Sequence, residues 1–136
     1  MKPYIHTVQY YETDRMQITH HSNYVRWMEE ARVSFLDQLN CSYTDLENMG
    51  IISPVVAINC KYLQSTTFAD KISIIVNIKK FNGIKLVLVY KMLNLETEKI
   101  VCTGESSHCF TNKNGKILNM KTLKPDFYLR LNSASN

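Results

Sequence analysis

The feature that most restricts the fold is one long amphipathic run followed by a succession of strand-forming segments. From Ser22 to Leu39 the apolar residues Tyr24, Met28, Ala31, Phe35 and Leu39 recur at spacings of four, three, four and four. That is one stripe of a 3.6-residue helix. Val25, Trp27 and Leu36 widen the stripe, most charges fall elsewhere, and Arg26 and Glu30 stand as an i, i+4 pair. So broad an apolar face predicts a helix wrapped by other elements.

After Pro54 the character changes. "VVAINCKYL", "KISIIVNIKKF", "IKLVLVYKML" and "KIVCTGESSHCF" are rich in β-branched and aromatic residues and read as strands. Asn82-Gly83 between two of them is a hairpin signal. Residues 5 to 11, "IHTVQYY", read as an earlier strand. "SYTDLENMG" reads as a short helical turn stopped by Gly50. "NKNGK" reads as a turn into a short last strand, "KPDFYLRLN" as a closing helical turn, and "LNSASN" as a frayed end.

One helix against one antiparallel sheet of about five strands is an α+β arrangement. Alternation gives the faces. Ile72, Ile74, Val76 and Ile78 share one face of their strand, as do Ile84, Leu86, Leu88 and Tyr90 on the next. The opposite face mixes Ile75, Val87 and Val89 with Ser73, Asn77, Lys85 and Lys91. A half-apolar back face is an expectation of cover by another subunit.

The 136 residues fit one domain, 1–136, with no repeats and no low-complexity segment. Hydrophobic residues at 45% and charged residues at 21% are the balance of a soluble globular chain. No apolar run is long enough to span a bilayer. The start, "MKPYIHTVQYYETD", lacks the apolar core of a signal peptide, so the expected location is the cytoplasm. Net charge is +4, which suits an anionic small molecule. The basic residues are spread out rather than gathered into a nucleic-acid stripe. Cys41, Cys60, Cys102 and Cys109 form no CxxC, so neither a zinc site nor a redox pair is indicated. The last three read as small buried hydrophobes.

Chemistry gathers in "YETDRMQITHHSNYVRWMEEAR", Tyr11 to Arg32. Asp14 follows a strand candidate and precedes the long helix. A loop carboxylate serves equally as a solvated turn former. Ser22 or Asn23 serves equally as a helix N-cap. Yet a helix N-terminus presents unpaired N–H groups and the positive end of the dipole. Aimed at a carbonyl oxygen, those donors stabilise negative charge developing there. A carboxylate on the other side of that carbonyl can attack it or deprotonate a water. The adjacent His20 and His21 diverge and have no third ligand at useful spacing, so no metal is expected.

The spacing Y-x-E-T-D-x-M-x-x-x-H-H-S-N-Y with its E-E-A-R helix resembles the hotdog-fold acyl-CoA thioesterases, in particular the 4-hydroxybenzoyl-CoA thioesterase-like group. "KYLQSTTFADKISI" and "TGESSHCFTNKNGK" extend the resemblance over essentially the whole chain. The resemblance implies a central helix wrapped by a curved antiparallel sheet, with dimers whose sheets join edge to edge and active sites at the subunit interface. It implies that Asp14 is the catalytic aspartate and that the backbone N–H at His21 polarises the thioester carbonyl, the imidazole being a further functional group in some members. Tyr24 matches an aromatic of the first helical turn. With Ser22 and Asn23 it makes up the candidate oxyanion and substrate-binding residues, the N–H groups around His21 and Ser22 forming the oxyanion site. The implied substrate is an acyl-CoA or acyl-carrier thioester, with no cofactor beyond the coenzyme A of the substrate. The implied partners exclude nucleic acid and membrane, and the chain is expected to form a homodimer or homotetramer. Coenzyme A phosphates would lie on lysines that the resemblance does not fix. One departure is Gln17, where many members carry a glycine that permits backbone geometries a side chain resists.

The remaining candidates read as structural. Glu29 and Glu30 lie mostly off the buried stripe and read as solvated charges. His108 reads as a satisfied sheet histidine and Asp70 as a turn residue. Ser106 and Ser107 lack a nucleophile-elbow glycine pattern, and Cys109 lacks a base. Two other functions compete with hydrolysis. They are hydration or dehydration of an acyl thioester, and non-catalytic binding of one; no appended DNA-binding helix pair supports a regulator.

Overall fold

A computed structural model describes residues 1–135. Its five strands are β1 (Tyr4–Thr7), β2 (Val55–Tyr62), β3 (Lys71–Phe81), β4 (Leu86–Asn94) and β5 (Ile100–His108). They form one antiparallel sheet in the order β1-β3-β4-β5-β2. Four helices accompany it: α1 (Ser22–Gln38), α2 (Tyr43–Asn48), α3 (Met120–Leu123) and α4 (Pro125–Ala134). Helix α1 lies in the concavity of the sheet, which is the hotdog fold and the α+β class expected from the sequence.

Helix α1 buries Tyr24, Trp27, Met28, Ala31, Arg32, Phe35 and Leu36. These recur every three to four residues, so one face meets the sheet. Its end is a Schellman motif. Asn40 takes φ +57°, Cys41 N–H donates to Leu36 O (2.9 Å), and Asn40 N–H donates to Asp37 O (3.0 Å). Helix α2 repeats the device with Gly50 at φ +77°, after Ser42 Oγ accepts from Asp45 N–H at its start (3.1 Å).

The inward row Ile72, Ile74, Val76 and Ile78 of β3 is buried, facing Leu88, Tyr90 and Met92 of β4. Register shifts in β2, β3 and β4 bend the ladder around the helix. At Gly104 of β5 the helix comes closest. A Cβ there would stand 3.0 Å from Met28 Sδ and Cε and 3.2 Å from Asn59 O. Edge strand β2 is the least covered, with Val55, Val56 and Ile58 44%, 64% and 39% exposed.

Four sequence expectations need correction. The first strand ends at Thr7, and Tyr10–Glu12 forms a 3₁₀ turn instead. Gln9 N–H donates to Glu12 Oε1 (2.8 Å), a local bond that takes the chain out of the extended form. The hairpin at Asn82-Gly83 forms as expected, but Ile84 belongs to its four-residue loop and not to the inward row of β4, because Asn82 Oδ1 accepts from both Ile84 and Lys85 N–H; Ile84 is therefore exposed. No last strand forms after the "NKNGK" turn, where Thr111 and Ile117 make only an isolated bridge. The closing segment is a ten-residue helix rather than a turn. It seats Phe127 against Phe81 and Phe110 and buries Leu131, so most of the supposed frayed tail is helical, while Asn136 lies outside the described residues.

The tight approach at Gly104 sets a prediction. Gly104→Val forces Met28 and the helix outward and is expected to cost about 1–3 kcal/mol, the range for overpacking a core. Urea denaturation of the purified variant measures it.

Candidate active site

The loop from Glu12 to His20 folds back on itself. Thr13 and Thr19 form a bridge, Asp14 N–H donates to Ile18 O (2.9 Å), and Gln17 N–H donates to Asp14 O (2.9 Å). Gln17 sits at φ +65°, the left-handed conformation that glycine adopts freely. Gln17 thus takes a conformation that a glycine at this position would also permit. Thr67 Oγ1 donates to Gln17 O (2.8 Å) and helps to hold it there.

Asp14, His21 and Tyr24 border one cavity of about 260 Å³. Asp14 is half-buried. Its Oδ1 accepts from Met16 N–H (2.8 Å), and its second oxygen has no partner among the described residues. At the helix tip most donors are engaged. Ser22 N–H meets His20 Nδ1 (3.2 Å), Asn23 N–H meets His20 O (3.0 Å), and Tyr24 N–H meets His21 O (3.3 Å). The His21 N–H alone of this group has no acceptor among the described residues.

Two candidates sit elsewhere. Ser22 does not line the cavity, and its hydroxyl bonds His20 (2.8 Å). Asn23 is buried and spends its amide on Glu12 O (3.0 Å) and His20 O (3.1 Å), so it fastens the loop to the helix. Tyr24 is buried, with its hydroxyl 3.0 Å from Thr66 Oγ1, which lies 2.6 Å from Thr19 Oγ1. Burial raises the Tyr24 pKa and outweighs the opposing bond to Thr66, so the phenol stays protonated.

The sequence reading missed the opposite wall, built by Tyr62, Leu63, Gln64 and Ser65 where β2 ends. Tyr62 packs on Tyr24 (ring centroids 5.2 Å) and meets His21 edge-on (6.0 Å), while the adjacent His20 and His21 do not diverge as expected but stack (4.3 Å). Only the polar run after "NCKYL" marked this wall in sequence. Among the described residues no group of three His, Cys, Asp or Glu side chains could hold a metal ion.

Beneath the loop lies Glu12, 5% exposed. Its Oε1 accepts from His6 Nε2 and Gln9 N–H (2.8 Å each), and its Oε2 accepts from Trp27 Nε1 (2.7 Å). Burial acts to raise its pKa, but the bonds from Gln9, Trp27 and His6 outweigh that and hold the carboxyl below its ordinary value. His6 Nδ1 also lies 3.2 Å from Glu30 Oε2, which accepts from Tyr4 Oη (2.8 Å); Glu30 is thus exposed but held by a hydrogen bond. His108 is bonded to Ser106 Oγ through Nε2 (2.7 Å), but its buried Nδ1 has no partner. It is therefore only half satisfied, and burial, aided by the Arg32 charge, pushes its pKa down to about 4. Asp70 is the expected loop residue, accepting from Thr67 N–H (2.9 Å) and Asn94 Nδ2 (3.3 Å).

The family model of the thioesterase-like superfamily matches residues 8–131. The chain is 32% identical over 127 residues to a protein of Bacillus subtilis (strain 168) provisionally named an acyl-CoA thioesterase, YneP, covering 93% of this chain and 92% of that one. It is 30% identical over 117 residues to an Aquifex aeolicus (strain VF5) protein provisionally named an esterase, covering 86% and 89%. Its structure is similar to the crystal structure of the DHNA-CoA thioesterase from Staphylococcus aureus, with TM-score 0.92 and 28% identity over 97% of this chain and 89% of that one. The chain belongs to the thioesterase-like superfamily, whose enzymes are thioester hydrolases.

Glu12 supplies a measurable consequence. A carboxyl whose folded pKa is lowered contributes stability above its unfolded pKa, and that stability is lost as pH falls through the folded value. The side-chain carboxyl carbon of Glu12 reports the event directly by NMR. Its large protonation shift should be absent from pH 7 down to about 5 and appear only below the usual glutamate pKa of about 4.3. A transition above that value would contradict a stabilised carboxylate.

Proposed function

We propose that the protein hydrolyses the thioester of an acyl-CoA, or of an acyl group on a carrier, to the free acid and the thiol. One observation carries the reading: Asp14, with an uncommitted carboxylate oxygen, and His21, with an uncommitted N–H, border the same cavity. The names of the Bacillus and Staphylococcus relatives support coenzyme A as the carrier.

A thioester carbonyl seated in the cavity would accept the His21 N–H, placed at the positive end of α1. Asp14 then attacks the carbonyl carbon or takes a proton from a water that does. Either way the oxyanion forms against the His21 amide, the C–S bond breaks, and the thiolate leaves and is protonated. When Asp14 attacks, a water then opens the resulting anhydride. No cofactor enters these steps, and the His21 imidazole is placed to assist. Ser22 and Asn23 act in this reading by shaping the tip rather than by touching substrate.

Release of free thiol from a panel of acyl-CoAs tests the reading, repeated with Asp14→Asn. The expected loss is at least about two orders of magnitude in kcat, the scale of a positioned acid-base group. Unchanged turnover would move the chemistry to another residue. Tight acyl-CoA binding without thiol release in the parent would make the protein a binding module.

The reading extends to a homo-oligomer in the cytoplasm, with neither nucleic acid nor membrane as a partner. Among the described residues no helix is long and apolar enough to cross a membrane. Strand β2 leaves one backbone edge unpaired, carries exposed Val55, Val56 and Ile58, and ends at the cavity wall. A second copy pairing along that edge would cover all three and border the site. Sedimentation at micromolar concentration should give a dimer or tetramer, and Ile58→Asp should weaken it. A monomeric parent would refute the arrangement.

A further inference from the structure

We infer that Glu12 is a positioning residue for this reaction: through its carboxylate and its carbonyl it fixes the distance between the Asp14 loop and the His21 amide. The inference rests on the hydrolase reading above.

Asp14 and His21 stand at the two ends of one folded loop. Both ends are tied to Glu12. It lies two residues before Asp14, and its carbonyl accepts from His20 N–H (2.8 Å), the residue before His21. The same carbonyl accepts from Asn23 Nδ2 (3.0 Å) in the first turn of α1. The carboxylate accepts from Trp27 Nε1 (2.7 Å), one turn further along α1, and from Gln9 N–H and His6 Nε2 (2.8 Å each) on the other side. Helix, first strand and loop thus meet at one residue. Glu12 itself is 5% exposed and absent from the cavity wall, so it does not touch substrate.

Its chemistry is specific to a carboxylate. Both oxygens receive donors, and neither position accepts a second donor group in their place. Glu12→Gln is nearly isosteric, yet its NH₂ must face either the Trp27 N–H or the pair from His6 and Gln9. One donor then meets another, and the contact opens. Displacing the loop by about 1 Å from the helix tip separates the carboxylate from the oxyanion donor. Misplacement of this kind can cost up to about 100-fold in rate.

The experiment is a double-mutant cycle on the full chain. Glu12→Gln should lower kcat by about 10- to 100-fold with KM within about threefold of the parent. In the Asp14→Asn background the same change should lower the residual rate by less than about threefold, since the spacing no longer has a carboxylate to deliver. An equal fold-loss in both backgrounds, or parent kcat in a folded E12Q, overturns the inference. If E12Q does not fold, Trp27→Phe removes one donor and keeps an aromatic ring. It should give a smaller kcat loss that also disappears in the Asp14→Asn background, and an equal loss in both overturns the inference. A parent that releases no thiol from any acyl-CoA refutes the hydrolase reading instead. Hydrogen exchange then decides on Glu12 alone: E12Q, or Trp27→Phe in its place, must speed exchange of the His20 amide relative to amides in the middle of α1, and unchanged exchange overturns the tie.

Discussion

The buried contact between the Glu12 carboxylate and the Trp27 indole is the constraint on which the site depends. A carboxylate at 5% exposure is costly unless its lone pairs are filled. Here they are filled by three donors at 2.7 to 2.8 Å, drawn from α1, from β1 and from the turn between them. Each donor is worth more to an ion than to a neutral acceptor. Removing one leaves the others facing a poorly solvated charge, so the cluster forms as a unit or not at all. The loop that carries Asp14 therefore inherits its position from the core, not from its own turn propensities.

The core in turn is set by how closely α1 approaches the sheet. Gly104 lets Met28 lie against β5, and the register shifts let the strands curl around the helix. Arg32 shows the consequence of that wrapping. Its guanidinium is buried on the helix and held by two hydroxyls, with Nε donating to Tyr43 Oη (2.8 Å) and Nη1 to Tyr90 Oη (3.2 Å). Tyr90 is linked on to Ser106 (2.6 Å) and His108. Two polar ties, Glu12 near the tip and Arg32 deeper in, thus register one helix against the sheet. The apolar stripe alone would tolerate sliding by small amounts; directional bonds do not.

What could be read in the sequence follows from what is periodic. The buried stripe of α1 and the inward rows of β3 and β4 were visible because burial imposes a repeat of 3.6 or of two. Asp14 and His21, which border one cavity, stand out as candidates because their spacing from the helix start resembles a family pattern. The 3₁₀ turn at Tyr10–Glu12 was hidden because "IHTVQYY" has strand composition, while its conformation is decided by a side chain three residues ahead. Helix α4 was hidden because its aromatic partners, Phe81 and Phe110, are distant in sequence. Glu12 was hidden for the same reason. A lone glutamate in a polar loop reads as solvated, and its three donors come from three separate elements.

Gln17 shows how tertiary contacts override a local preference at the site. A left-handed glutamine is less favourable than a glycine there by something on the order of 1 kcal/mol. Yet the turn closes around it with two backbone bonds through Asp14, and Thr67 caps its carbonyl. The Thr67 segment is the same loop that supplies Thr66 to Tyr24 and Thr19. So the loop leading from β2 to β3 does two things at once. It holds the Asp14 turn in a conformation its sequence does not favour, and it fastens the first turn of the helix opposite. Asp14 on that turn and Tyr24 on that helix both border the cavity, so its shape depends on contacts made by residues that do not line it.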